Sequence, residues 1–179
     1  QIYEPDGLRM PGEWNVWNNI TGMGGEFDLQ KNSTGTIRWQ TTFQYTGITG
    51  YQNFKFASTS FGDPWGNQWA GNESFSINTL SNVTYGTPSN PDNKIIVSQN
   101  KWYSVNFEDL GYANTRAIFM ETSAEPVNLV SVEQHPLLVT SPDNVSVTIQ
   151  LSANPSPEEK FYLRYSLDNW TSSSISAIL

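Results

Sequence analysis

Residues 36–46 read Thr36-Ile37-Arg38-Trp39-Gln40-Thr41-Thr42-Phe43-Gln44-Tyr45-Thr46. Ile37, Trp39, Phe43 and Tyr45 fall on one face, and Arg38, Gln40, Thr42 and Gln44 on the other, which is the period-two pattern of a half-buried strand. Working outward, the same pattern predicts strands over 25–31, 51–60, 73–77, 94–99, 101–108 and 116–122, with Tyr103, Val105 and Phe107 inward. Turn-forming residues separate them: Asn32-Ser33-Thr34-Gly35, Thr46-Gly47-Ile48-Thr49-Gly50, and the Pro- and Asn-rich stretch 86–93. Gly22, Gly24 and Gly25 read as a tight turn. No stretch of ten or more residues carries a 3.6-residue apolar stripe. The prediction is an all-β chain built on an immunoglobulin-like β-sandwich, with Trp39 and Trp102 in its core.

A boundary falls at Glu121-Thr122-Ser123-Ala124-Glu125-Pro126, where small and acidic residues precede a new series of strands. In that series Val145, Val147, Ile149 and Leu151 share one face, as do Phe161, Leu163, Tyr165 and Leu167. With 127–133 and the tail from 174, this makes about four strands, where a full sandwich of this type needs about seven. The expected organisation is therefore a first domain over 1–124 and a partial, incomplete second β-sandwich domain over 125–179, belonging to a longer chain.

The 179 residues include nine Lys plus Arg against seventeen Asp plus Glu, a net charge of −8. Nucleic acids and anionic membrane surfaces are poor partners for such a chain, because both require a basic footprint. Charged residues are only 15 % of the total, so its polarity is mainly that of amides and hydroxyls. There is no Cys and a single His, which excludes disulfides, thiol nucleophiles and Cys-ligated metals. No apolar run approaches the length of a membrane span, so no membrane insertion is expected. The start at Gln1 suggests a removed leader, and with the composition it predicts a secreted or cell-surface address.

Catalytic candidates are scarce. His135 precedes Pro136 with no nucleophile motif nearby. The pairs Glu108-Asp109 and Glu158-Glu159 are adjacent, and neighbours on a strand point to opposite faces, unlike the facing carboxylates of a glycosidase. Asp63, Asp92 and Asp109 lack the alternating-oxygen spacing of a calcium loop, and no Gly-rich phosphate loop is present. The reading is of a protein that is not an enzyme and needs no cofactor or metal. Six Asn-x-Ser/Thr sequons begin at Asn19, Asn32, Asn72, Asn82, Asn144 and Asn169, several of which chance alone supplies in so Asn-rich a chain.

The tryptophans carry more information. Trp14 and Trp17 lie in Pro11-Gly12-Glu13-Trp14-Asn15-Val16-Trp17-Asn18-Asn19, and Trp65 and Trp69 in Phe61-Gly62-Asp63-Pro64-Trp65-Gly66-Asn67-Gln68-Trp69-Ala70-Gly71-Asn72. Both stretches are too rich in Gly, Asn and Pro for central strands. An indole among amides suits a sugar, whose apolar C–H face stacks on the ring while side-chain amides take the hydroxyls. Large aromatics are more often buried, and for Trp14 the core is the better reading; for Trp65 and Trp69 the sequence leaves both open.

Trp14-Asn15-Val16-Trp17, Gly25-Glu26-Phe27, the strand 36–45, Phe54-Lys55-Phe56-Ala57 and Trp65-Gly66-Asn67-Gln68-Trp69-Ala70-Gly71 occur in an order that resembles immunoglobulin-like starch- and glycogen-binding modules. Such modules accompany amylases and pullulanases or occur in surface lipoproteins of Bacteroidetes. The resemblance covers residues 1 to about 80; Trp69-Ala70-Gly71 departs from the family's aromatic-Gly step. It implies a non-catalytic, starch-binding module that takes α-glucan, with Trp17, Trp65 and Trp69 stacking and Asn67, Gln68 and Lys55 hydrogen bonding. Further on, Phe161-Tyr162-Leu163-Arg164-Tyr165 followed by Asp168-Asn169-Trp170-Thr171-Ser172 resembles a strand of fibronectin- or immunoglobulin-like domains, implying an outward Arg164 and a packing role for Trp170. The competing reading is a structural or interaction module of an extracellular surface assembly or filament, whose partners are neighbouring protein domains.

Overall fold

The computed structural model describes residues 7–20, 28–31, 38–71, 73–86, 89, 91–109, 114–140, 144–168, 171–172 and 174–177. The expected turns at Gly22–Gly25 and Asn32–Gly35, and Trp170, lie outside the described residues, as does the side chain of Arg164. The chain divides into two compact units, Gln1–Ser123 and Ala124–Leu179. It is all-β: apart from one 3-10 turn at Glu13–Asn15, the regular elements among the described residues are strands.

In the first unit these are β1 (Leu8–Arg9), β2 (Asp28–Lys31), β3 (Arg38–Tyr45), β4 (Gly50–Phe54), β5 (Phe56–Ser60), β6 (Asp63–Trp69), β7 (Ser74–Phe75), β8 (Ser81–Val83), β9 (Tyr85–Gly86), β10 (Asn93–Val97), β11 (Lys101–Asp109) and β12 (Thr115–Thr122). Hydrogen-bonded neighbours run β8-β12-β11-β3-β2-β1-β5-β6-β9, while β4-β10-β7 form a separate sheet. Strand β3 alternates exposed and buried residues along its whole length, with Trp39, Thr41, Phe43 and Tyr45 inward. Its partner β11 turns Tyr103, Val105 and Phe107 inward, and β12 adds Ala117 and Phe119.

These side chains meet Phe54, Phe56, Trp69, Phe75, Ile95 and Val97 in one core. The contacts across the core are aromatic: Phe54 on Phe119 at 5.2 Å, Phe56 on Phe107 at 4.8 Å, Trp69 on Phe107 at 5.5 Å and Phe75 on Phe119 at 5.5 Å between ring centroids. Trp102 is not in this core. Because Tyr103 and Phe107 point inward, alternation sends Trp102 to the other face, where it is half-buried. On that outer face Glu108 lies opposite both Arg38 and Arg116 and binds each of them. Partial burial raises the Glu108 pKa, but the two guanidinium groups outweigh it and hold the carboxyl below its ordinary range.

The stretch 51–60, predicted as one strand, is two. Lys55 separates β4 from β5, and its N–H donates to the Pro11 carbonyl at 2.9 Å, so the chain passes there from the small sheet to the large one.

The second unit contains two antiparallel ladders. Strand β13 (Leu129–His135) pairs with β14 (Ser146–Leu151), and β15 (Tyr162–Tyr165) with β16 (Ser174–Ala177). Val147, Ile149 and Leu151 are half-buried on one face of β14, whereas Leu129, Val130 and Val132 are exposed. Among the described residues, none from this unit joins the core cluster.

Phe54 is fully buried and touches the rings of Trp14, Phe56, Phe75 and Phe119. Phe54→Ala is expected to cost the first unit about 3–5 kcal/mol in urea unfolding, and Phe54→Leu about 1.5 kcal/mol or less.

Candidate functional site

Two local departures from regular structure build the site. The first is in the β5–β6 hairpin. Phe56 pairs with Trp69, Ala57 with Gln68 and Ser58 with Asn67, but the next pair is Ser60 with Asp63. Between those last two pairs β5 advances two residues and β6 four, so β6 bulges at Pro64-Trp65-Gly66. Glycine is required at the bulge: a Cβ on Gly66 would sit 2.5 Å from the Ser60 Cβ and 2.8 Å from its carbonyl oxygen.

Side chains hold the bulged backbone. The Pro64 carbonyl accepts from the Arg9 guanidinium at 3.0 Å and from Asn19 Nδ2 at 2.7 Å. The Trp65 N–H donates to Asp63 Oδ1 at 2.9 Å, and the Trp65 carbonyl accepts from Gln68 Nε2 at 2.8 Å.

The second departure follows the 3-10 turn at Glu13–Asn15. Val16 and Trp17 both adopt positive φ, 55° and 59°. A left-handed residue with a Cβ costs about 1–2 kcal/mol, and the branched Cβ of Val16 makes it a further outlier. Hydrogen bonds fix the turn. The Trp17 N–H donates to the Gly12 carbonyl at 2.8 Å, and the Asn15 side chain accepts from the Gly12 N–H and donates to the Asn18 carbonyl. The Glu13 carboxylate ties it to β4 by accepting from the N–H and side-chain amide of Asn53, at 2.9 and 3.0 Å.

Arg9 joins the two departures. It is 2 % exposed, and its Nε donates to Asn19 Oδ1 at 2.8 Å while the guanidinium also reaches Thr59 Oγ1 at 3.2 Å and the Pro64 carbonyl. One buried cation thus connects the segment that follows Trp17 with the residue that precedes Trp65. Asn19, the first sequon, is buried in this network, which removes it as a glycan acceptor in the folded chain.

The result is a cleft of about 520 Å³ lined by Trp17, Lys55, Asp63, Trp65, Gln68 and Asp92. The rings of Trp17 and Trp65 stand 6.5 Å apart at an interplanar angle of 44°. Lys55 Nζ donates to Gln68 Oε1 at 3.0 Å and lies 3.5 Å from Asp92 Oδ1. The lining thus offers two half-buried indoles, one oriented ammonium and two carboxylates. Aromatic faces with fixed donors and acceptors suit a polyhydroxylated ligand.

Of the six residues singled out in the sequence, Trp17, Trp65, Lys55 and Gln68 come together here, and Trp69 and Asn67 do not. Trp69 is fully buried between Tyr85 and Phe107, at 5.4 and 5.5 Å. Asn67, 6 % exposed, donates to Ser58 Oγ and accepts from the Tyr85 hydroxyl. Both lie on the face of β6 opposite Gln68, as alternation requires. Asp63 and Asp92 also line the cleft, although in the sequence they stand out only as acidic residues without the spacing of a calcium loop. Among the described residues, no three His, Asp or Glu side chains converge to hold a metal, and no helix is long and apolar enough to cross a membrane.

No family model and no curated protein matches the chain. One solved structure does. It is described as "Ligand induced structure of AmyP-SBD", and the likeness covers 65 % of this chain and 71 % of that one at 12 % identity and a TM-score of 0.44. A likeness this remote assigns no ligand.

Arg9→Met removes donors from Asn19 Oδ1, Thr59 Oγ1 and the Pro64 carbonyl. It is expected to cost about 3 kcal/mol in denaturant unfolding and to shift tryptophan emission as Trp17 and Trp65 loosen; unchanged stability and emission would show that the network holds neither indole.

Proposed function

We propose that the first unit is a non-catalytic carbohydrate-binding module that holds an α-glucan in the cleft between Trp17 and Trp65, as part of a secreted or cell-surface protein. The supporting observation is the pairing of two half-exposed indoles beside an ammonium already oriented by Gln68. On this reading the indoles stack on successive sugar rings and Asp63 and Asp92 accept from hydroxyls, while Lys55, 7 % exposed and already held by Gln68 and Asp92, offers a hydroxyl only the part of its ammonium that opens on the cleft. Gln68 is 2 % exposed and acts mainly by orienting Lys55. Trp69 and Asn67 support the fold beneath the site and take no part in contact.

A second reading, an interaction module of an extracellular assembly, draws on the second unit, where Leu129, Val130, Val132, Leu137, Leu138 and Leu167 are exposed. Such exposed side chains are compatible with a binding function in the first unit. Sedimentation over a range of concentrations separates the two: self-association without glucan binding favours the assembly.

The deciding experiment is calorimetric titration with a long malto-oligosaccharide. Trp17→Ala and Trp65→Ala are each expected to weaken binding by about 1–3 kcal/mol while the protein stays folded. Trp69→Ala is expected to lower stability instead, by about 3–5 kcal/mol. Absence of heat with glucans from folded wild-type protein overturns the reading.

A further inference from the structure

The β5–β6 hairpin turns through Phe61-Gly62, with φ of 51° and 81°. Positive φ at both central residues is what a two-residue turn of this hand requires, and it favours Asn, Asp or Gly at the first of them. Phe61 has the wrong chemistry for the position. Its Cβ opposes the left-handed backbone, and its ring is fully exposed, so burial offsets none of that strain. Strain that the fold does not repay, at an exposed aromatic on a hairpin tip, is grounds to look for a role in binding.

The position suggests the use. Two residues along, Asp63 lines the cleft, and four along, Trp65 does. At 3.8 Å per Cα step, the Phe61 Cα lies within about 8 Å of that of Asp63. Its neighbours along the chain, Ser60, Gly62 and Asp63, are small or polar, so within the hairpin tip itself Phe61 is the one large apolar side chain. One ring is too small for a stable protein interface, and it suits stacking on a sugar.

We propose that Phe61 is a third aromatic contact, which carries a long glucan chain from the Trp17–Trp65 cleft onto the hairpin tip and gives the module a preference for polymer over short oligomers. This rests on the function proposed above. The strain at Phe61 then has a counterpart in binding: the ring is held where the ligand passes, at the expense of the turn.

The test compares wild-type protein and Phe61→Asn in the full 179-residue chain, with maltotriose and with soluble amylose as probes. Asn suits the left-handed position, so the variant is expected to melt at an equal or higher temperature. Maltotriose affinity is expected to stay within about twofold, amylose affinity to fall about tenfold, and Phe61→Trp to restore it. Unchanged amylose affinity in Phe61→Asn, with wild-type protein binding both probes, overturns this inference and leaves the cleft intact. Equal losses for both probes also overturn it, since Phe61 would then serve the cleft itself. Wild-type protein that binds neither probe overturns this inference and the proposed function together.

Discussion

Lys55 emerges where it does because two phenylalanines leave it no other side. Phe54 and Phe56 are both fully buried, one ending β4 and the other starting β5, and consecutive side chains of an extended chain point to opposite faces. The residue between two inward rings is turned away from them, and Lys55 there is still buried, its ammonium held against Gln68 and Asp92. Phe56 pairs with Trp69, which is equally buried, so the same constraint crosses to β6 and places Gln68 on the outer face within reach of Lys55. The hydrophobic core thus sets the orientation of the polar pair at the site. Moving either ring out of the core would turn the ammonium inward, where an ion is far too costly to leave without partners.

Against this regular background, the indoles of the site are set by irregularity. Trp65 owes its position to the extra residues of β6, and Trp17 to a pair of left-handed residues after a 3-10 turn. The left-handed pair costs free energy because both residues carry a Cβ, and the bulge interrupts the β5–β6 ladder. They persist because surrounding hydrogen bonds over-determine them: Arg9 and Asn19 at the Pro64 carbonyl, Gln68 at Trp65, Glu13 at Asn53, Asn15 at Gly12. Arg9 binds both segments, so the spacing of the two indoles is a property of one network and not of two independent loops.

This division explains what could be read in the sequence. Strand β3 was legible because strict alternation of Trp39, Phe43 and Tyr45 with Arg38, Gln40 and Gln44 is a local property. Trp65, Asn67 and Trp69 are the opposite case. At even spacing a regular strand would put all three on one face, and the sequence offered no means of separating Trp65 from the others. The bulge does so, and its single local trace is Gly66, which also suits an ordinary turn. Asp92 was illegible for another reason: it reaches Lys55 from 37 residues away, out of a Pro- and Asn-rich stretch that reads as a turn. Trp102 failed because its size suggested the core, while its register beside Tyr103 had already settled the face.

The charge of the cleft bears on which ligand the proposed module would hold. Lys55 is the cation of the lining, and it is shared between Gln68 and Asp92, with Asp63 adding a second carboxylate, in a chain whose net charge is −8. An acidic polysaccharide would meet repulsion from the whole surface and find little positive potential in the cleft to offset it. A neutral glucan meets neither difficulty, since its hydroxyls donate to the carboxylates and accept from the ammonium without a charge of their own to desolvate. Stacking on Trp17 and Trp65 does not depend on ionic strength, whereas attraction between opposite charges is screened by salt. On the proposed function such a cleft would select for shape and hydroxyl pattern, and the carboxylates that would make it a poor site for an anion would serve as acceptors for an uncharged sugar.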